Sequence, residues 1–208
     1  MTNEGYALNI AGFVVGVLGL AVGIGSFIYA LYVRKQSRSI RWVDLSAAAK
    51  TLSLSMRNNF TPDVIYAPTQ KSGIILELMQ PYFKNYIPII MGLGIPKRTN
   101  DLNKAQSNIL NADDYYQFET SKWYAYVPKS ITAYKNKKVL IVDDFAMSGA
   151  YLKALKECFE KQAGFTPQNV KSACLVATTV AERDDSAPDY SWKTIDSAIV
   201  YLPWGRPQ

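Results

Sequence analysis

Histidine is missing from all 208 residues, and that absence removes His-based acid/base chemistry, Ser-His triads and most zinc sites together. Cysteine is scarce. Cys158 and Cys174 are the only two, both inside apolar periodic segments, which fits reduced core residues. Charge is sparse too, at 19%, and the net charge of +6 includes no Lys/Arg block long enough to indicate nucleic acid; it suits phosphates or a membrane surface as well. With 49% apolar residues the length fits one globular domain plus an appendage.

Ile10 to Val33 is a stretch of 24 residues without a charge, rich in Val, Leu, Ile, Ala and Gly. As a helix it would extend ~36 Å, enough to span a bilayer. A cleaved signal peptide is the competing reading, but no basic region precedes the run and the run is long for one. Arg34, Lys35, Arg38 and Arg41 follow at once, while Glu4 is the only charged side chain before it. The positive-inside rule then puts residues 1–9 outside, a membrane helix at 10–33, a basic linker at 34–41 and a cytoplasmic domain at 42–208. Gly12/Gly16 and Gly19/Gly23 are small-residue pairs of the kind that pack membrane helices into a homodimer, though such pairs also occur without a partner.

The domain is organised around residues 137–151, KKVLIVDDFAMSGAY. Val139 to Val142 predict a strand buried on both faces, and Asp143 and Asp144 follow where it would leave the sheet. Small residues at Ala146, Ser148, Gly149 and Ala150 come next, then apolar Tyr151, Leu152, Leu155, Cys158 and Phe159 at helical spacing. Backbone N–H groups at such a helix start, with the Ser148 hydroxyl, can hold a phosphate, and the two carboxylates can accept from sugar hydroxyls or face a divalent metal. A buried strand and tight turn without function is the plainer reading, but adjacent carboxylates do nothing for packing.

This segment resembles the phosphoribosyl pyrophosphate (PRPP) motif of type I phosphoribosyltransferases. The resemblance implies an α/β fold with a mostly parallel central sheet flanked by helices and a small C-terminal hood. It implies a Mg²⁺-dependent transfer of phosphoribose to a nitrogenous base, with Asp143, Asp144, Ala146, Met147, Ser148, Gly149 and Ala150 around PRPP and the metal on Asp143 and Asp144. Elsewhere, Val43 to Asn58 predicts an amphipathic helix with Asp44 or Ser39 as entry cap, and Asp63 to Ala67 a first strand. The loop Pro68 to Gly73 and a helix from Ile74 to about Tyr82 come next. In the family this loop grips the pyrophosphate, which singles out Thr69, Lys71, Ser72 and Gly73. Ile87 to Gly92 predicts a second strand, with Lys97 and Arg98 beyond it as further pyrophosphate candidates or a plain surface pair. Thr99 to Ser121 is polar and aperiodic, where the family carries a mobile lid. Lys122 to Val127, Val170 to Ala177 and Ile195 to Tyr201 predict strands.

The closing Leu202-Pro203-Trp204 looks like the hood of the hypoxanthine/xanthine subgroup, in which Tyr201 and Trp204 would stack on the base; anchoring the hood to the core is the alternative. Two positions depart from the purine-using pattern. Met147 stands where an Asp commonly exchanges a proton with the base, and Ala177-Thr178-Thr179 stands where a Lys commonly holds the purine oxygen. Three readings stay open: a membrane-anchored phosphoribosyltransferase, a PRPP or nucleotide sensor without turnover, and a nucleotide-consuming effector of a bacterial defence system.

Overall fold

The computed structural model describes residues 3–36, 38–97, 112–196 and 200–205. In chain order the elements are α1 (Asn3–Gln36), β1 (Arg38–Ser39), α2 (Trp42–Met56), β2 (Val64–Ala67), α3 (Gln70–Met79), β3 (Ile89–Met91), β4 (Leu93–Pro96), β5 (Tyr115–Glu119), β6 (Trp123–Pro128), β7 (Val139–Ala146), α4 (Ala150–Lys161), β8 (Val170–Thr178), α5 (Thr179–Arg183), β9 (Tyr190–Ile195) and β10 (Val200–Tyr201).

Five strands form a parallel sheet in the order β3-β2-β7-β8-β9. Its centre is covered on both sides, as the uninterrupted apolar run of β7 requires. Leu140 and Val142 face α2 and α3, packing with Leu45, Leu52, Met56, Ile75, Leu76 and Met79. Val139 and Ile141 face the other way, into α4, with Leu152, Leu155, Cys158 and Phe159. This is the period-two alternation of a strand. Both cysteines are free and buried, as expected.

Several boundaries differ from the sequence reading. The first helix of the domain begins at Trp42, and its entry is closed from its third residue. The Asp44 carboxylate reaches back to the Arg41 N–H at 3.1 Å and its guanidinium at 3.0 Å. α3 begins at Gln70, four residues early, because the Thr69 hydroxyl accepts the Ser72 N–H at 3.2 Å and caps it. Gly73 therefore sits inside the helix, where the Met91 side chain packs against the space a Cβ would take. The expected lid contains strand β5, which joins β4 and β6 in an antiparallel sheet ordered β4-β6-β5. β7 does not stop before its acidic pair; it continues through it to Ala146. β9 (Tyr190–Ile195) ends where the expected strand Ile195 to Tyr201 would begin, and the described strand within that span is the short β10; partly exposed Ser191 and Trp192 with exposed Lys193 hide β9 among polar residues.

None of the side chains of α1 over Phe13–Tyr32 is buried, and among the described residues this is the helix long and apolar enough to cross a membrane. Immediately after it, β1 pairs in parallel with β10.

Candidate functional site

In a parallel sheet of order 2-1-3-4-5, the first and third strands send their following helices to opposite faces, and a crevice opens between their carboxyl ends. Here those strands are β2 and β7. The cavity found there has a volume of about 480 Å³. Thr69, Gln70 and Lys71 line it from the β2 side, and Asp143 through Leu152 line it from the β7 side. Leu93–Pro96 and Thr120–Trp123 of the antiparallel sheet form its outer wall.

Asp143 and Asp144 are both buried, at 6% and 8% exposure, yet both open on this cavity. Successive strand residues diverge, and their partners show it. Asp143 Oδ1 accepts from the Ser72 hydroxyl and from the Asp144 N–H, each at 3.0 Å. Asp144 Oδ2 accepts from the Trp204 indole N–H at 2.9 Å. Ser72 has one hydroxyl proton and spends it on Asp143, so the 2.8 Å contact between Ser72 Oγ and Thr69 Oγ1 is donated by Thr69. Burial, then the neighbouring Asp144 charge, pushes Asp143 up to about 7 despite those donors and the field of Lys71. Burial likewise raises Asp144, partly offset by Trp204 and Lys71. Two carboxyls are thus held in a place that resists their charge, which calls for a cation or hydroxyl donors from a ligand.

The loop after β7 is shaped by Gly149, which takes a left-handed φ of +69° at the cap of α4. A Cβ there would also overlap the carbonyl oxygen of Ser186. Ser148 and Ala150 are exposed on either side of it, so the first N–H groups of α4 face the cavity with little side chain in the way. Met147 is half-exposed, with the Lys122 ammonium 3.8 Å from its sulfur. Its carbonyl accepts the hydroxyl proton of Thr178, which is buried at the end of β8. Tyr151 closes the inner wall, stacked at 5.4 Å on Trp123 and 6.4 Å on Phe118.

Of the residues singled out from the sequence, Asp143, Asp144, Ala146, Met147, Ser148, Gly149, Ala150, Thr69 and Lys71 therefore share one cavity. Ser72 lies beneath it, its hydroxyl committed to Asp143, and Gly73 faces Met91. Lys97 is turned to Glu119 at 3.0 Å and lies over the Tyr124 ring. Arg98 lies outside the described residues. Tyr201 and Trp204 are not in the lining: Tyr201 is paired with Ser39, and Trp204 meets Asp144 from the hood side. Gln70, Leu93–Pro96 and Thr120–Trp123 are lining residues that the sequence did not single out for the site, because they come from the separate antiparallel sheet and the first turn of α3.

The family model of the phosphoribosyl transferase domain matches residues 43–205. The chain belongs to that family. Its activity class is accordingly phosphoribosyl transfer, and its fold is shared with a purine phosphoribosyltransferase from Pyrococcus horikoshii (TM-score 0.60, 19% identity, 83% of this chain and 97% of that one). A Helicobacter pylori xanthine-guanine-hypoxanthine phosphoribosyltransferase is similar as well (TM-score 0.53, 13% identity, 81% and 94%). So is a Neisseria gonorrhoeae hypothetical protein crystallised with bound ppGpp (TM-score 0.57, 18% identity, 81% and 89%). No curated protein matches the chain. In this phosphoribosyltransferase the strand, acidic pair and glycine loop run without interruption from Val139 to Gly149, with Met147 within the loop and Thr178 bonded to its carbonyl.

Proposed function

We propose that this chain is a membrane-anchored phosphoribosyltransferase that binds PRPP with Mg²⁺ and transfers phosphoribose to a nitrogenous base, or runs the reverse reaction. The observation that carries the reading is the convergence of Thr69–Lys71, the Asp143-Asp144 pair and the start of α4 on one cavity at the β2/β7 crevice. The 5′-phosphate would sit on the N–H groups of Ser148–Tyr151, where the helix dipole and a hydroxyl favour an anion. Lys71 would neutralise the pyrophosphate, and the acidic pair would face the ribose hydroxyls and the cation. Among the described residues no group of three or more carboxylate, thiol or imidazole side chains gathers. That donor set fits Mg²⁺, which commonly takes one or two carboxylates and completes its shell with substrate oxygens and water. When bound, the ion would supply charge neutralisation at the leaving pyrophosphate. The chain's own residues position PRPP, and Tyr151, Trp123 and Phe118 keep water from one wall.

Membrane attachment through α1, with the domain on the cytoplasmic side, is supported by the apolar length of the helix and by the basic residues that follow it in sequence. A second reading, a PRPP or nucleotide sensor, is favoured by the two departures. Methionine cannot exchange a proton, and Thr178 directs its hydroxyl to the Met147 carbonyl. The ppGpp carried by the Neisseria protein is compatible with nucleotide binding on this fold. The full-length chain in detergent, given PRPP, Mg²⁺ and a panel of bases, should release pyrophosphate. Tight PRPP binding with no release from any base would select the sensor, and no PRPP binding would reject both.

A further inference from the structure

The Trp204–Asp144 contact joins a hood residue to a carboxylate sixty positions earlier in the chain. The indole is held by the segment that follows α1. β1 pairs in register with β10, Arg38 opposite Val200 and Ser39 opposite Tyr201. The Ile40 N–H then donates to the Tyr201 carbonyl at 2.8 Å. A turn closed by reciprocal bonds between Leu202 and Gly205, at 3.0 and 2.8 Å, presents Trp204. Trp42, at the first turn of α2, meets the Trp204 ring edge-on with centroids 6.0 Å apart.

We propose that Trp204 is a positioning residue for Asp144 and that Arg38–Trp42, the link between the N-terminal helix and the domain, holds it in place. Asp144 turns about two side-chain bonds, and the indole N–H on Oδ2 restrains both while the residue still lines the cavity. Indole is a donor only, so it takes no hydrogen-bond donor away from a ligand. The inference rests on the proposed function in treating Asp144 as a ligand-facing group. It gives the linker a role beyond tethering: movement of the helix against the domain passes through β1 and β10 to a carboxylate of the site.

The test uses the full-length chain in lipid nanodiscs with ¹⁵N-labelled indoles. There are four tryptophans, so Trp204→Phe assigns the Trp204 signal by its loss. Asp144→Asn should move that signal and leave those of Trp123 and Trp192 in place. Ile40→Pro, which deletes the donor to Tyr201, should speed hydrogen exchange of the Trp204 indole at least tenfold and weaken PRPP–Mg²⁺ binding about tenfold. Trp42→Ala changes a largely exposed residue, so it keeps the test open if Ile40→Pro does not fold; it should speed the same exchange at least threefold. Trp204→Phe keeps an aromatic ring but loses the indole N–H, and should weaken PRPP–Mg²⁺ binding about tenfold in a domain that still melts cooperatively. A Trp204 signal indifferent to Asp144→Asn, or exchange unchanged in the folded linker variants, would overturn the proposal. If the wild-type chain binds no PRPP, the proposed function falls, and the resonance and exchange readouts alone decide this inference.

Discussion

Two ends of the same sheet hold carboxylates, one partly covered and one buried pair, and treat them in opposite ways. Near the amino ends of β8 and β9, Asp189 is bonded by Lys156 and Lys171 at 2.9 Å each, by the Ser172 N–H at 2.9 Å and by the Ser172 hydroxyl at 3.0 Å. Although burial opposes its charge, these donors hold it below the usual carboxylate range. At the carboxyl end of β7, Asp143 and Asp144 have neutral donors, no ammonium in contact among the described residues, and each other's charge. Their pKa values go up. The first arrangement stabilises the fold with what the chain already owns, and the second leaves a deficit for a ligand to fill.

The sharpest way to break this contrast is to neutralise the poor end. Asp143→Asn with Asp144→Asn should weaken PRPP–Mg²⁺ binding ~100-fold or more, since charge-assisted bonds are worth about 1.5–3 kcal/mol each, while calorimetry shows a domain that still melts cooperatively. Retained affinity in that folded variant would remove the site from this cavity. The rich end should respond in the reverse sense. Asp189→Asn strands two ammonium groups and should cost about 2 kcal/mol, a fall of about 4–8 °C in melting temperature, with ligand affinity per folded molecule unchanged.

Protonation sharpens the comparison further. Native Asp143 keeps its proton up to about pH 7, whereas the unfolded chain releases it near 3.8, so across that window the native state holds more protons and stability falls as pH rises. Asp143→Asn should therefore raise the melting temperature at pH 8 by about 4 °C or more and flatten its decline between about pH 4 and 7. A steeper decline in the variant would reverse the assignment. The smallest change is expected from adding a third carboxylate to the poor end. Met147→Asp should give less than about a tenfold gain in purine transfer, although general acid/base catalysis is typically worth about 10²–10⁴-fold, because the resemblance also implies a purine-holding Lys where this chain has Ala177-Thr178-Thr179. A hundredfold gain with hypoxanthine or guanine would place the chain with ordinary purine salvage.

The legible part of the site is what backbone geometry demands of residue type. Gly149 stands among small residues where the chain turns from β7 into α4, and four apolar residues fill a strand covered twice. Each leaves a mark in a short window of sequence. The mostly parallel sheet was legible through the family resemblance that this motif carries. What escaped were bonds between residues far apart in sequence. Nothing around Trp204 tells that its N–H goes to Asp144 rather than its face to a base, and nothing around Ser72 tells that its hydroxyl serves Asp143. β5 was hidden because Tyr115–Glu119 is only half-buried and follows polar residues, so neither composition nor alternation separates it from its surroundings.

The parallel pairing of β1 with β10 also says something about the order in which the molecule assembles. Strands flanking the whole domain meet only after a very long loop has closed, and such contacts form late because their entropy must be met before they return anything. The five-stranded sheet can therefore be complete while Trp204 is still away from Asp144. Competence of the site would lag behind compaction of the core, and a refolding experiment following tryptophan burial and PRPP binding together would see two phases, the slower one belonging to the two-residue strands at the domain's edge.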